Sequence, residues 1–139
     1  MSAPDSAPKN LASKWKIENG KWKVMDSVIV NKSFHFAVRI VKLCKHLRSR
    51  KKEYTLSKQL LRSGTSIGAN IAEAQQAQSK PDFIAKLSIA LKETTETKYW
   101  IQLLHATEYL SDCEFQSIFA DCVEVEKILV SIIKSSKDG

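Results

Sequence analysis

The segment Gln59–Ala74 (QLLRSGTSIGANIAEA), read together with Ser79–Trp100 (SKPDFIAKLSIALKETTETKYW), constrains this chain more than any other part of it. Apolar residues recur at helical spacing through both pieces, which sets helices rather than strands. Yet Ser63, Gly64, Ser66, Gly68, Ala69 and Asn70 fill the middle of the first piece, and most are weak helix formers. Gly64, Gly68 and Ala72 repeat every four residues, so they lie on one strip. Each Gly costs about 1 kcal/mol relative to Ala inside a helix. Two in register predict a neighbouring helix packed close against that strip. The string RSGTSIGAN superficially suggests a phosphate loop, but it lacks a preceding strand and a Gly-Lys-Ser/Thr ending, which leaves close packing as its explanation.

Helical periodicity extends on either side. A first helix over about 31–50 carries Phe34, Ala37, Val38, Val41, Cys44 and Leu47, widened by Phe36, Ile40 and Leu43. Thr55 is the expected N-cap of a second helix reaching about 77, with Leu56, Leu60, Ile67, Ile71 and Ala74 as core positions. Ser79-Lys80-Pro81-Asp82 combines a capping Ser, an early Pro and an acid in the first turn. It opens a third helix to about 107, with Phe83, Leu87, Ala90, Leu91, Thr94, Ile101 and Leu104 inside. Ser111-Asp112-Cys113-Glu114 is a second capping box. Phe115, Ile118, Phe119, Cys122, Val125, Leu129 and Ile132 follow it as a stripe that Ile128 and Ile133 broaden. Four helices with short links predict an all-α, antiparallel up-down-up-down four-helix bundle. The expected division is a flexible N-terminal tail over 1–26, the bundle over 27–136 and a frayed C-terminus over 137–139. Trp15 and Trp22 are the two residues of that tail suited to docking elsewhere.

No apolar run approaches the roughly 18 residues of a membrane-spanning helix, and the N-terminus has no apolar core of a secretory signal. Cys44, Cys113 and Cys122 form no CxxC or Cys/His spacing, and they predict reduced thiols in a cytoplasmic protein. The net charge of +7 is unevenly distributed. From Arg39 to Arg62 there are nine Lys and Arg and a single acid, Glu53, so this one hairpin accounts for the whole positive excess. From Tyr99 to Glu126 the balance reverses, with Glu108, Asp112, Glu114, Asp121, Glu124 and Glu126 and no Lys or Arg. The two stretches either face each other between subunits, as in a head-to-tail ring, or lie apart in water.

The strings SKQLLRSGTSIGANIAEAQQAQSKPDF and KLSIALKETTETKYWIQLL resemble the four helix bundle protein family, also called the 23S rRNA intervening-sequence protein family. The resemblance runs from about Lys32 to Leu110, with the fourth helix similar in character. It implies a small bundle that assembles into a homopentameric ring. It further implies a bacterial protein with a nucleic-acid-associated, non-catalytic role. The family is structurally similar to the accessory protein of diversity-generating retroelements, so the resemblance extends to a protein partner such as a reverse transcriptase.

Lys42, Lys45, Arg48, Arg50, Lys51, Lys52, Lys58 and Arg62 are the candidate nucleic-acid-binding residues. Clustered cations gain affinity for a phosphate backbone by releasing counterions, largely without regard to base sequence. The plain alternative is a solvated helix end that serves solubility. A second, polar constellation joins Arg62, Ser66, Asn70 and Glu73 to Lys92, Glu93, Glu96 and Trp100. Asn70, Glu73, Glu93 and Glu96 are expected to form a structural network that fixes helix register or subunit contacts. A metal-dependent enzyme built on Glu73, Glu93 and Glu96 is the weaker alternative, since no Glu-x-x-His pair accompanies them and His35, His46 and His105 are dispersed. No Ser or Cys stands at triad-like spacing from a His and a carboxylate. The reading is therefore a non-enzymatic, homo-oligomeric binder of RNA or DNA, without metal or cofactor. An oligomerisation adaptor that binds another protein is the alternative.

Overall fold

Four helices form where the apolar periodicity sets them: α1 (Val28–Ser49), α2 (Thr55–Ala74), α3 (Lys80–Ala106) and α4 (Asp112–Asp138). The computed structural model describes residues 15–18, 21–24 and 28–138. Ahead of the helices, β1 (Trp15–Glu18) and β2 (Lys21–Val24) pair antiparallel, with Trp15 opposite Val24 and Glu18 opposite Lys21. This ribbon falls inside the segment expected to be tail; the remainder of 1–26 lies outside the described residues. At the other end α4 continues through Asp138, past the expected bundle boundary at 136.

Each helix packs on its sequence neighbours, and α1 closes against α4, most loosely of the four seams. Links of a few residues at 50–54, 75–79 and 107–111 make consecutive helices antiparallel. The core is one cluster drawn from all four: Ile40 and Leu47 from α1, Leu60, Ile67 and Ile71 from α2, Phe83, Leu87, Ile101 and Leu104 from α3, Cys122, Val125 and Leu129 from α4. Complete burial of one such side chain contributes about 1.5–3 kcal/mol. Among the described residues no helix is long and apolar enough to cross a membrane.

Two sequence expectations shift. On α1 the buried line is Ile29, Ser33, Phe36, Ile40, Cys44 and Leu47, while Phe34 is 65% exposed. The reason lies in the glycine strip. The backbone carbonyl of Ser33 lies 3.4 Å from where a Cβ on Gly68 would sit, and Ile40 stands 2.9 Å from the corresponding point on Gly64. The small residues of α2 therefore receive the Ser33–Ile40 face of α1, which turns Phe34 outward. The close packing expected of the strip thus occurs within one chain at Gly64 and Gly68, whereas Ala72, the third member of the strip, is exposed.

The second correction concerns the start of α2. Thr55 does not cap it. Glu53 folds inward, and its carboxylate accepts from the backbone N–H groups of Thr55 (3.1 Å), Leu56 (2.9 Å) and Ser57 (2.7 Å). Ser57 Oγ donates back to the Glu53 carbonyl at 2.9 Å. A carboxylate at this position satisfies orphan donors and complements the positive helix end. The other caps form as their spacing predicts. Ser79 Oγ accepts from the Asp82 N–H (3.2 Å), and Ser111 and Glu114 exchange reciprocal bonds of 3.1 and 2.8 Å.

Candidate nucleic-acid interface

The α1–α2 connection is the most strongly basic point of the chain, and its backbone explains why the charges point outward. After α1, the Arg50 N–H bonds the His46 carbonyl (2.8 Å) and the Glu53 N–H bonds the Leu47 carbonyl (3.0 Å). Lys52 takes a left-handed conformation (φ 57°) to bring the chain around. The reversal carries Glu53 under the first turn of α2 and leaves Arg50, Lys51 and Lys52 in solvent. Lys42, Lys45, Arg48, Lys58 and Arg62 are exposed as well.

Among the described residues, no carboxylate makes an ion pair with Lys42, Lys45, Arg48, Arg50, Lys51, Lys52 or Lys58. Glu53, the one acid in the stretch, is fully engaged with backbone N–H groups. Arg62 differs from the other seven. Its guanidinium is bound by Glu96 and lies 3.5 Å from Glu93. Glu96 also accepts from the Trp100 indole at 2.9 Å, and that bond, with Arg62 second, holds its carboxyl below the usual carboxylate range.

The polar constellation is accordingly divided. Glu93 and Glu96 converge on Arg62. Glu73 pairs instead with Lys86 (3.1 Å), and Asn70 donates to the Ser66 carbonyl of its own helix (2.8 Å). A buried bond the sequence did not single out, Thr97 Oγ1 to Ser63 Oγ at 3.0 Å, ties α3 to α2 beside this group. Glu73, Glu93 and Glu96 do not come together, and the described residues contain no group of three or more His, Cys, Asp or Glu able to hold a metal. Burial pushes the Cys44 thiol up to about 11 and Cys122 up to about 12, far from the thiolate that a nucleophile needs.

The acidic stretch meets basic residues within the chain. Asp121 and Ser117 bind Arg39, and Glu124 pairs with Lys32 at 3.1 Å, so both contacts stitch α4 to α1. Glu114 is held below the usual carboxylate range chiefly by the Ser111 N–H, with His46 and Lys51 contributing through space. The sequence points to Arg48 by its charge but not to Tyr54, although the Arg48 guanidinium lies 5.4 Å from the centroid of the Tyr54 ring. The available signal was an aromatic residue in an otherwise charged, water-facing link.

The 23S rRNA-intervening sequence protein model matches residues 25–131, which takes in most of α4 as well as the segments that carry the resemblance. Among solved structures the chain is similar to a protein of unknown function from the S23 ribosomal protein family of Bacteroides thetaiotaomicron. The two are 58% identical, with a TM-score of 0.77, over 78% of this chain and 96% of that one. No curated protein matches the chain. A family match over most of the length, together with a bundle of the same shape at this identity, settles the affiliation: the chain belongs to the 23S rRNA-intervening sequence protein family.

Proposed function

We propose that this protein binds nucleic acid, RNA or DNA, without catalysing a reaction, and grips the phosphate backbone with Lys42, Lys45, Arg48, Arg50, Lys51, Lys52 and Lys58. The observation that carries this reading is the absence of ion-pair partners for these seven exposed cations among the described residues. Such cations are free to neutralise phosphates and release the counterions condensed on them. Arg62, committed to Glu96 and Glu93, adds little to the grip. The family's description as an rRNA intervening-sequence protein accords with a nucleic-acid role.

The working form is a homo-oligomer, a pentameric ring, held through apolar surface that one bundle leaves uncovered. Phe34 is 65% exposed, and Ile89 and Tyr99 on α3 are 42% and 56% exposed. The same surface favours a second reading, an adaptor that binds another protein such as a nucleic-acid enzyme. Titration of labelled RNA and DNA at increasing salt tests the first reading. The expected result is a steep linear fall of log affinity with log salt, and its abolition in the triple variant Arg48→Glu, Lys51→Glu, Lys52→Glu. Binding with no salt slope, or unchanged in that variant, overturns it. A partner retained on pull-down after nuclease treatment would favour the adaptor.

A further inference from the structure

We infer that Tyr54, with Arg48 over its ring, is a stacking platform for an unpaired base, so that the nucleic acid held at this end is single-stranded. The inference rests on the nucleic-acid reading above and names the substrate class of that site. Tyr54 precedes α2 directly, yet its side chain makes no capping bond; Glu53 performs that task. Tyr54 as a residue is 51% exposed. The Arg48 guanidinium lies 5.4 Å from its centroid, within the range of a cation–π contact. Lys51, Lys52 and Lys58, exposed and without an ion-pair partner among the described residues, neighbour these two in the chain.

Cations alone do not distinguish a duplex from a single strand, because both present phosphates. An exposed aromatic ring among them does. A base inside a duplex is already stacked and cannot reach a surface tyrosine, whereas an unpaired base can lay its face on the ring while its phosphates meet the lysines. A purely structural Tyr54, covering the stem of Arg48, would leave nucleic-acid affinity untouched when removed.

The test is fluorescence anisotropy with an oligo(U) RNA, an oligo(dT) and an RNA duplex of equal length, on wild type, Tyr54→Ala and Tyr54→Phe. Tyr54→Ala should weaken both single strands about tenfold, the order expected from losing one stacked base. Duplex affinity and the salt slope should stay as in wild type, because no phosphate contact is lost. Tyr54→Phe should bind as wild type does. The ring is exposed, so helical circular dichroism should be the same in all three. Single-strand binding unchanged in Tyr54→Ala, or a duplex weakened equally, overturns the stacking role. If the charge-reversal triple variant abolishes binding while Tyr54→Ala does nothing, the stacking role falls and the phosphate grip stands. If wild type binds none of the three probes, both fall.

Discussion

Glu53 stands alone among the cations of the α1–α2 hairpin, and its position is a matter of backbone geometry rather than charge balance. Three N–H groups of α2 depend on its carboxylate, and Ser57 Oγ completes the return bond. Replacement by Ala would leave those donors unsatisfied at a nearly buried site. Glu53→Ala should therefore lower stability by about 2 kcal/mol, the sum expected for a lost cap with charge-assisted bonds. The midpoint of urea unfolding would report it, and a change within error would mean that water replaces the carboxylate. Sequence reading made Thr55 the N-cap, one residue inside the observed cap position at Tyr54, and missed the Glu53 carboxylate, for a physical reason. Capping preferences favour short side chains adjacent to the helix. A glutamate reaches the first turn here because Lys52, at φ 57°, swings the chain back beneath it. Nothing local in the sequence announces a left-handed lysine.

At the scale of elements, the two glycines of α2 look alike in sequence and differ in what they face. A Cβ on Gly64 would stand 2.9 Å from both Cγ1 and Cγ2 of Ile40, a fully buried, β-branched side chain with little freedom to move. A Cβ on Gly68 would stand 3.4 Å from the Ser33 carbonyl, which is ordinary contact. Gly→Ala gains about 1 kcal/mol of helix propensity at either site. Overpacking, typically about 1–3 kcal/mol, opposes it only at Gly64. Gly64→Ala should thus destabilise the bundle, and Gly68→Ala should leave it unchanged or raise its melting temperature. Thermal unfolding of the two variants checks the opposite signs. Their spacing was enough to predict close packing, and helices α2, α3 and α4 show the expected inner residues. The face of α1 was not legible in the same way. Its buried line contains Ser33, whose polar side chain satisfies itself on the Val30 carbonyl at 3.1 Å, whereas the more hydrophobic Phe34 lies outside. Hydrophobicity alone points to the wrong one of these two neighbours; only the shape of the partner helix chooses between them. The polar network shows the same limit: Arg62, Glu93 and Glu96 meet, whereas Glu73 is drawn off by Lys86, a pairing that depends on how α3 is rotated against α2.

For the whole molecule, the outward face of α1 connects assembly to binding. Phe34 is joined by the partly buried Val30, Val38 and Val41, which recur at helical spacing and share its side. An apolar strip of this kind gains free energy when another surface covers it, and in the proposed oligomer that surface belongs to a further copy. Covering it brings several basic α1–α2 ends into one particle. A strand that touches more than one of them would then release counterions at each contact, so its salt slope would reflect the sum of contacts, and its apparent affinity would gain from the linkage. Phe34→Glu separates these effects because the side chain contributes to no core. The variant should keep its helical signal, run as a monomer by light scattering, and bind long single strands more weakly and with a shallower salt slope than wild type. It should bind an oligonucleotide short enough to engage one basic end as wild type does. A variant that stays oligomeric would place the interface elsewhere. A monomer with undiminished affinity for long strands would mean that a single bundle carries the whole grip and that assembly serves another purpose.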